Sequence, residues 1–262
     1  MNNTYFEQAQ VIFQLLSRDF YLFRQIFLHK MKVALYWILI SVFITKMFLP
    51  AMGLENFGSL ILISSTISYG LFIGMENAMN LVNDITSNQA IAYELTLPVP
   101  QWLIFFKIAL SNMLQGLIIS LCLVPCGFIV LMDLHAFPDF SFLKFITIFI
   151  CSSIFYGSFS LILATYLKDM SQVDSVWLRI LFPMWYLGCF QFPWSALYNI
   201  SPTMAYIDLL NPMTLIMEAG RSATINSAES LPFGFCCIMI LVYAACSLKI
   251  GIHFMKKRLN CI

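Results

Sequence analysis

The stretch LGCFQFPWSALYNISPTMAYIDLLNPMTLIMEAGR, residues 187–221, decides how the rest of the chain is read. It begins inside an apolar run, is interrupted at Pro193, and then carries two helix starts, a carboxylate and an arginine before the last apolar run. Ser201-Pro202 and Asn211-Pro212 each set a capping side chain directly before a proline. A Ser or Asn oxygen accepts an orphan amide hydrogen bond, and proline at the first helical position has no hydrogen to leave unsatisfied. The spacing predicts two short helices, over 202–210 and 212–224. Both are too short to span a bilayer and mostly too apolar for water, so they are expected to dip into the outer leaflet and return. Irregular backbone at that depth is acceptable only where protein covers it or it lines a cavity. Glu218 and Arg221 stand three apart on the second helix and can pair, which lowers the cost of holding either near lipid. Read from the residues, the pair fits a re-entrant plug locked by a structural ion pair.

Working outward, composition settles the solvent. The chain has 262 residues, of which 60% are hydrophobic and only 10% charged, with a mean hydropathy of +0.84. A soluble domain carries roughly 25% charged residues, because it must cover its core with groups that water solvates. This chain cannot, so it reads as an all-α integral membrane protein. Apolar runs near the 20 residues a spanning helix needs fall at 31–50, 57–82, 102–132, 142–167, 176–198 and 232–254. Six spans are predicted, as a single transmembrane domain over 1–262. The third run is longer than one bilayer needs and is expected to tilt, protrude or break near Pro125. Of the eight cysteines, Cys122, Cys126, Cys151, Cys189, Cys236, Cys237 and Cys246 fall inside apolar runs and read as small hydrophobes.

Charge placement orients the spans. Arg18, Arg24, Lys30 and Lys32 flank the first, Lys256, Lys257 and Arg258 flank the last, and Lys168 and Arg179 lie between the fourth and fifth. The opposite loops hold Glu55, Asp133, Asp139, Asp208, Glu218 and Glu229, with Arg221 as their one clear cation and Lys46 and Lys144 near span ends. The positive-inside rule places both termini in the cytoplasm. Before the first span, Tyr5, Ala9, Ile12, Leu16, Phe20, Phe23 and Phe27 recur at helical spacing, so 1–30 is expected to form an amphipathic helix along the headgroup boundary. Such a helix also offers a shelf to a cytoplasmic partner.

The loop DITSNQAIAYELTLPVP, 84–100, begins polar, becomes amphipathic and ends in two prolines. Each proline disfavours helix at the residue before it, so a brief helix over about 87–95 should stop before the membrane is entered again. Ser87, Asn88, Gln89, Ala90, Tyr93 and Glu94 are its candidate contact residues. Glu76 is the outstanding intramembrane carboxylate, which is costly enough to raise a functional hypothesis. Packing with solvation, and substrate or proton handling, both remain open for it. Phe182, Trp185, Tyr186 and Phe190 cluster in the fifth run, either as packing and interfacial belt or as a lining for an amphipathic substrate. No Gly-rich phosphate-binding sequence ending in Gly-Lys-Ser/Thr occurs, so no ATP site is expected in this chain. No His-Glu-x-x-His occurs either, His29, His135 and His253 are isolated, and no catalytic or metal site is read.

The two loops together resemble the membrane subunit of type-2 ATP-binding-cassette exporters. The likeness is carried by Tyr93 to Lys107, with its Leu-x-x-Pro and lysine, and by Phe192-Pro193, Leu210-Asn211-Pro212, Thr214, Glu218 and Arg221. The resemblance implies a unit of two permease copies and two separately encoded ATPases in a bacterial inner membrane, with ATP and Mg on the ATPase and none here. It further implies that 84–100 is the coupling helix seated on the ATPase. It makes Asn211, Pro212, Thr214, Glu218 and Arg221 the outer gate, and the cargo an amphipathic, lipid-linked or glycan-type molecule. Lipid is the other partner, and nothing points to nucleic acid. Two other classes stay open: a proton-coupled secondary transporter with Glu76 as carrier, and a non-transporting membrane scaffold.

Overall fold

Residues 2–43 contain neither glycine nor proline, and they form one unbroken helix, α1 (Asn2–Phe43). The structure is a computed structural model and describes residues 2–44, 48, 58–88, 90–131, 140–225 and 230–259. At about 1.5 Å per residue, α1 is on the order of 60 Å long. The sequence suggests an interfacial helix over 1–30 and a distinct span over 31–50. The structure joins them in a single helix, because no residue there interrupts the hydrogen-bond ladder. Its inward face carries Phe23, Lys30, Ala34 and Ile38, all buried. The end of that first expected span, and residues 49–57, 132–139 and 226–229, lie outside the described residues.

Four more long helices come after it: α2 (Gly58–Asn83), prolonged by a π-helical turn over Asp84–Asn88, then, after the short α3 (Ala90–Leu95), α4 (Gln101–Leu131), α5 (Phe142–Tyr166) and, last in the chain, α11 (Phe233–Leu259). The segments Leu60–Ser87, Gln101–Cys126, Phe142–Tyr166 and Phe233–Leu259 are long and apolar enough to cross a membrane, the mark of a multi-pass membrane protein. In α2, 83% of the membrane-length window is buried, against 33% in α11. So α2 is the centre of the bundle and α11 its edge. α4 continues through Pro125 without ending, as isolated prolines in apolar helices often allow.

Close packing of α5 depends on a missing side chain. A Cβ on Gly157 would fall 2.5 Å from the Ala109 carbonyl oxygen and 2.7 Å from the Met113 amide nitrogen of α4. Helices in lipid have little hydrophobic drive toward one another, so such small-residue contacts supply the van der Waals surface. Across the same seam, Asn112 Nδ2 donates to Ser160 Oγ at 2.8 Å.

The fifth expected span is not one helix. It is built from α6 (Val173–Val176), a π-helical turn over Trp177–Leu181, α7 (Phe182–Leu187), an irregular stretch at 188–193, and α8 (Trp194–Ile200). Next along the chain are α9 (Pro202–Asp208) and α10 (Pro212–Thr224). Gly188 comes so near α10 that a Cβ there would sit 2.5 Å from the Met213 Cβ. Cys189 takes a left-handed φ of 55°, and Pro193 ends the break. Ser201 accepts from the Met204 amide and Asn211 from the Met213 amide, each one residue ahead of its proline.

Every residue of α10 from Met213 to Thr224 is buried. Its start lies beside the middle of α5, where the Tyr156 hydroxyl meets the Met213 sulfur at 3.7 Å. Its end lies at the start of α5, where the Ser141 amide donates to the Ala223 carbonyl at 2.9 Å. α10 therefore runs inside the bundle along the first half of α5. The turn after α2, with α3, occupies the far end of α2 from Ser64, which touches Arg221 of α10. Those ends are about 30 Å apart by helix rise.

Candidate functional site

Under the short helix α3 lies a four-residue ion cage. Glu94 projects from α3 into the bundle and is 4% exposed. Lys107, from the first turns of α4, is 1% exposed and holds Glu94 Oε2 at 3.0 Å and Asp19 Oδ2 of α1 at 2.9 Å. Arg18 closes the ring by pairing with Asp19 at 2.9 Å and with Glu94 Oε1. Two cations thus face two carboxylates, so the desolvation of each is offset locally. Burial opposes the Arg18 charge, yet hydrogen bonds and attraction from Asp19 and Glu94 outweigh it and hold the guanidinium above its ordinary value.

The start of α3 is held by a different carboxylate. Asp84 accepts from the Ala90 amide at 3.2 Å and the Ile91 amide at 2.8 Å. This places negative charge at the helix N-terminus, where orphan donors need it. The helix ends in a turn closed by Thr96 and Leu97 amides on the Tyr93 and Glu94 carbonyls, just before Pro98. Its outer face presents Ala90, Ala92 and Tyr93, the last 69% exposed. Of the residues read as coupling contacts, Ser87, Ala90 and Tyr93 are exposed and Glu94 points inward. Gln89 and the Asn88 side chain lie outside the described residues.

The cage lines one side of a cavity of about 320 Å³ between α1, α2, α3 and α4, whose walls also carry Lys30, Asn77, Asn112 and Gln115. The Lys30 ammonium donates there to Asn77 Oδ1 at 3.2 Å and Gln115 Oε1 at 3.4 Å. It also pairs with Glu76 at 3.3 Å, whose side chain is 47% exposed. Glu76 is therefore the outward partner of a buried lysine.

A second cluster occupies the break in the fifth apolar run. Arg221 pairs with Glu218 at 2.5 Å, with side chains 3% and 1% exposed. Arg221 Nη2 donates to the carbonyls of Cys189 and Phe190 and to Ser64 Oγ at 3.3 Å. Glu218 Oε1 accepts from the Trp194 amide at 2.9 Å. The arginine thus covers carbonyls beyond the end of α7, and the glutamate an amide at the start of α8. Asp208 accepts from Thr214 Oγ1 at 2.9 Å and from Cys189 Sγ at 3.2 Å, and Asn211 Nδ2 donates to the Met184 carbonyl at 2.8 Å. Asn211, Pro212, Thr214, Glu218 and Arg221 are thus brought to one place. Asp208, Cys189 and Ser64 belong to the same cluster, and sequence reasoning alone does not select them; Gly188 and Pro193, which frame the break, are the available signal.

The aromatic residues divide. Trp185 and Phe190 are buried, with ring centroids 4.4 Å apart. Trp185 also packs on Trp37 of α1 and Phe72 of α2 at 5.6 and 5.4 Å. Phe182 and Tyr186 stack on each other at 5.7 Å and remain partly exposed at 38% and 45%. The first pair is packing, and the second faces outward. No protein-family model and no curated protein sequence matches the chain.

Proposed function

We propose that this chain is the permease subunit of an ATP-driven exporter of the type-2 ATP-binding-cassette kind. The observation that carries the reading is α3: a short helix capped by Asp84, bolted to α1 and α4 through Glu94, and bare on its outer face at Ala90, Ala92 and Tyr93. A push on that face moves a helix that cannot swivel, so the displacement passes to α1 and α4. A flexible loop would absorb it.

On this reading, α1 beyond Lys32 and the α6–α7 column complete six crossings of a bacterial inner membrane. Both termini and 84–100 face the cytoplasm, and 199–230 faces outside, with α9 and α10 as re-entrant helices at the outer gate. Two copies of the subunit work with two ATPases, which bind ATP and Mg and perform the hydrolysis. This subunit supplies the path for an amphipathic, lipid-linked or glycan-type cargo.

The test is co-purification of an ATPase, measured beside transport, for Ser87→Arg and Tyr93→Asp. Both residues are exposed, so the helices should insert normally while docking is blocked by desolvated charge. The expected outcome is loss of the bound ATPase and of transport. Retention of both by the variants defeats the assignment, and transport by the parent protein that depends on a pH gradient without any ATPase favours a proton-coupled mechanism.

A further inference from the structure

Where α5 and α11 end side by side, a groove of about 450 Å³ opens between them. Its walls are Ile162 and Tyr166 of α5 and Ile250 and Phe254 of α11, and its rim carries Lys168, Lys257 and Arg258. We infer that this groove seats one anionic phospholipid, with the phosphate at Lys168 and Lys257 and an acyl chain along the apolar walls.

Charge complementarity selects the occupant. Three cations and no carboxylate line the groove. The nearest acid in sequence, Asp169, accepts from the amide and hydroxyl of Ser171 at 2.9 and 2.5 Å and reaches Lys168 only through the longer-range attraction of opposite charges, without an ion pair. Arg258 is occupied by the carbonyls of Ala164, Leu167 and Lys168, which seal the end of α5. Lys168 and Lys257 are in no ion pair among the described residues, so their ammonium groups remain available to a ligand.

The walls choose between sources of the phosphate. Tyr166 and Phe254 are 60% and 48% exposed, and they continue the apolar surface of two helices long enough to cross a membrane. A free phosphate would satisfy the lysines and leave those walls bare. A zwitterionic headgroup would bring a further cation to a site already holding three. Basic pockets between spanning helices favour anionic headgroups for the same reason. The inference needs only the membrane character of the bundle and stands apart from the ATPase assignment.

The experiment uses the full chain purified in mild detergent, with thermal unfolding and native mass spectrometry as readouts. Phosphatidylglycerol, phosphatidylcholine and inorganic phosphate are titrated separately into wild type and Lys168→Gln/Lys257→Gln. Phosphatidylglycerol should raise the unfolding midpoint and stay bound in the gas phase, and the double variant should need on the order of tenfold more of it. Phosphatidylcholine and inorganic phosphate should do neither. Equal response of the double variant overturns the site. An equal shift with inorganic phosphate reduces it to a phosphate site, and an equal shift with phosphatidylcholine removes the headgroup selectivity; each rejects the proposal. Should the double variant fail to fold, Lys257→Gln alone is put through the same titrations and judged by the same outcomes.

Discussion

Arg221 and Glu218 show what a buried ion pair is for in this molecule. A charge placed in an apolar bundle is costly, and a pair that satisfied only itself would contribute little net stability. Here each member also completes backbone groups that the break at 188–193 leaves open: two carbonyls for the arginine and one amide for the glutamate. Removing the arginine therefore orphans a carboxylate and two carbonyls together. Arg221→Met is expected to destabilise the fold by about 3–5 kcal/mol, seen as loss of the monodisperse species on heating in detergent. Glu218→Gln should cost less, because the amide oxygen still accepts from Trp194. Equal stability of Arg221→Met and wild type would show that the break is held by packing alone.

At the scale of elements, α3 is the informative piece. Six residues do not make a stable helix in water, since nucleation costs more than one turn returns. Its persistence comes from Asp84 at one end and from the cage beneath it. Lys107→Met removes the ammonium shared by Asp19 and Glu94 and leaves two carboxylates facing a single arginine. Amide exchange at 91–95 should then quicken by tenfold or more, while exchange in the middle of α5 stays as it was. Unchanged exchange at 91–95 would mean that α3 is held by Ile91 and its apolar neighbours without the cage. The same reasoning explains α1. Nothing in its sequence ends it, so the amphipathic first half and the apolar second half share one helix, and Arg18 and Asp19 are carried rigidly to the end of α2.

For the whole molecule, the basic flanks and the two ends of α2 make one testable frame. On the proposed topology, the cage and the proposed lipid groove face the side rich in lysine and arginine, and α9 faces the other. In intact cells, an impermeant thiol reagent should label Met204→Cys above the background of the native cysteines. Ser87→Cys should be labelled only after the membrane is opened. Both positions lie on the surface of the protein. Labelling of Ser87→Cys from outside would invert the orientation and with it the cytoplasmic placement of α3.

What the sequence alone determined is what local chemistry and solvent dictate. Low charge and long apolar runs require a helical membrane protein, because only helices or closed barrels satisfy every backbone group in lipid. Ser201-Pro202 and Asn211-Pro212 mark helix starts because cap and proline act within one turn. Glu218 and Arg221 were legible as a pair because three residues place them on one face. Tertiary structure alone decided the rest. That Glu94 turns inward depends on Arg18, Asp19 and Lys107, which lie 76, 75 and 13 residues away in sequence and leave no periodic trace. That Trp185 packs while Tyr186 faces outward depends on where Trp37 and Phe72 arrive, and adjacent aromatics in an apolar run look alike until they do. Pro193 marks an interruption of the fifth apolar run in the sequence, but not how the open backbone on either side of it is satisfied. The run breaks because α10 presses against Gly188 and carries the arginine and glutamate that make an open backbone tolerable there.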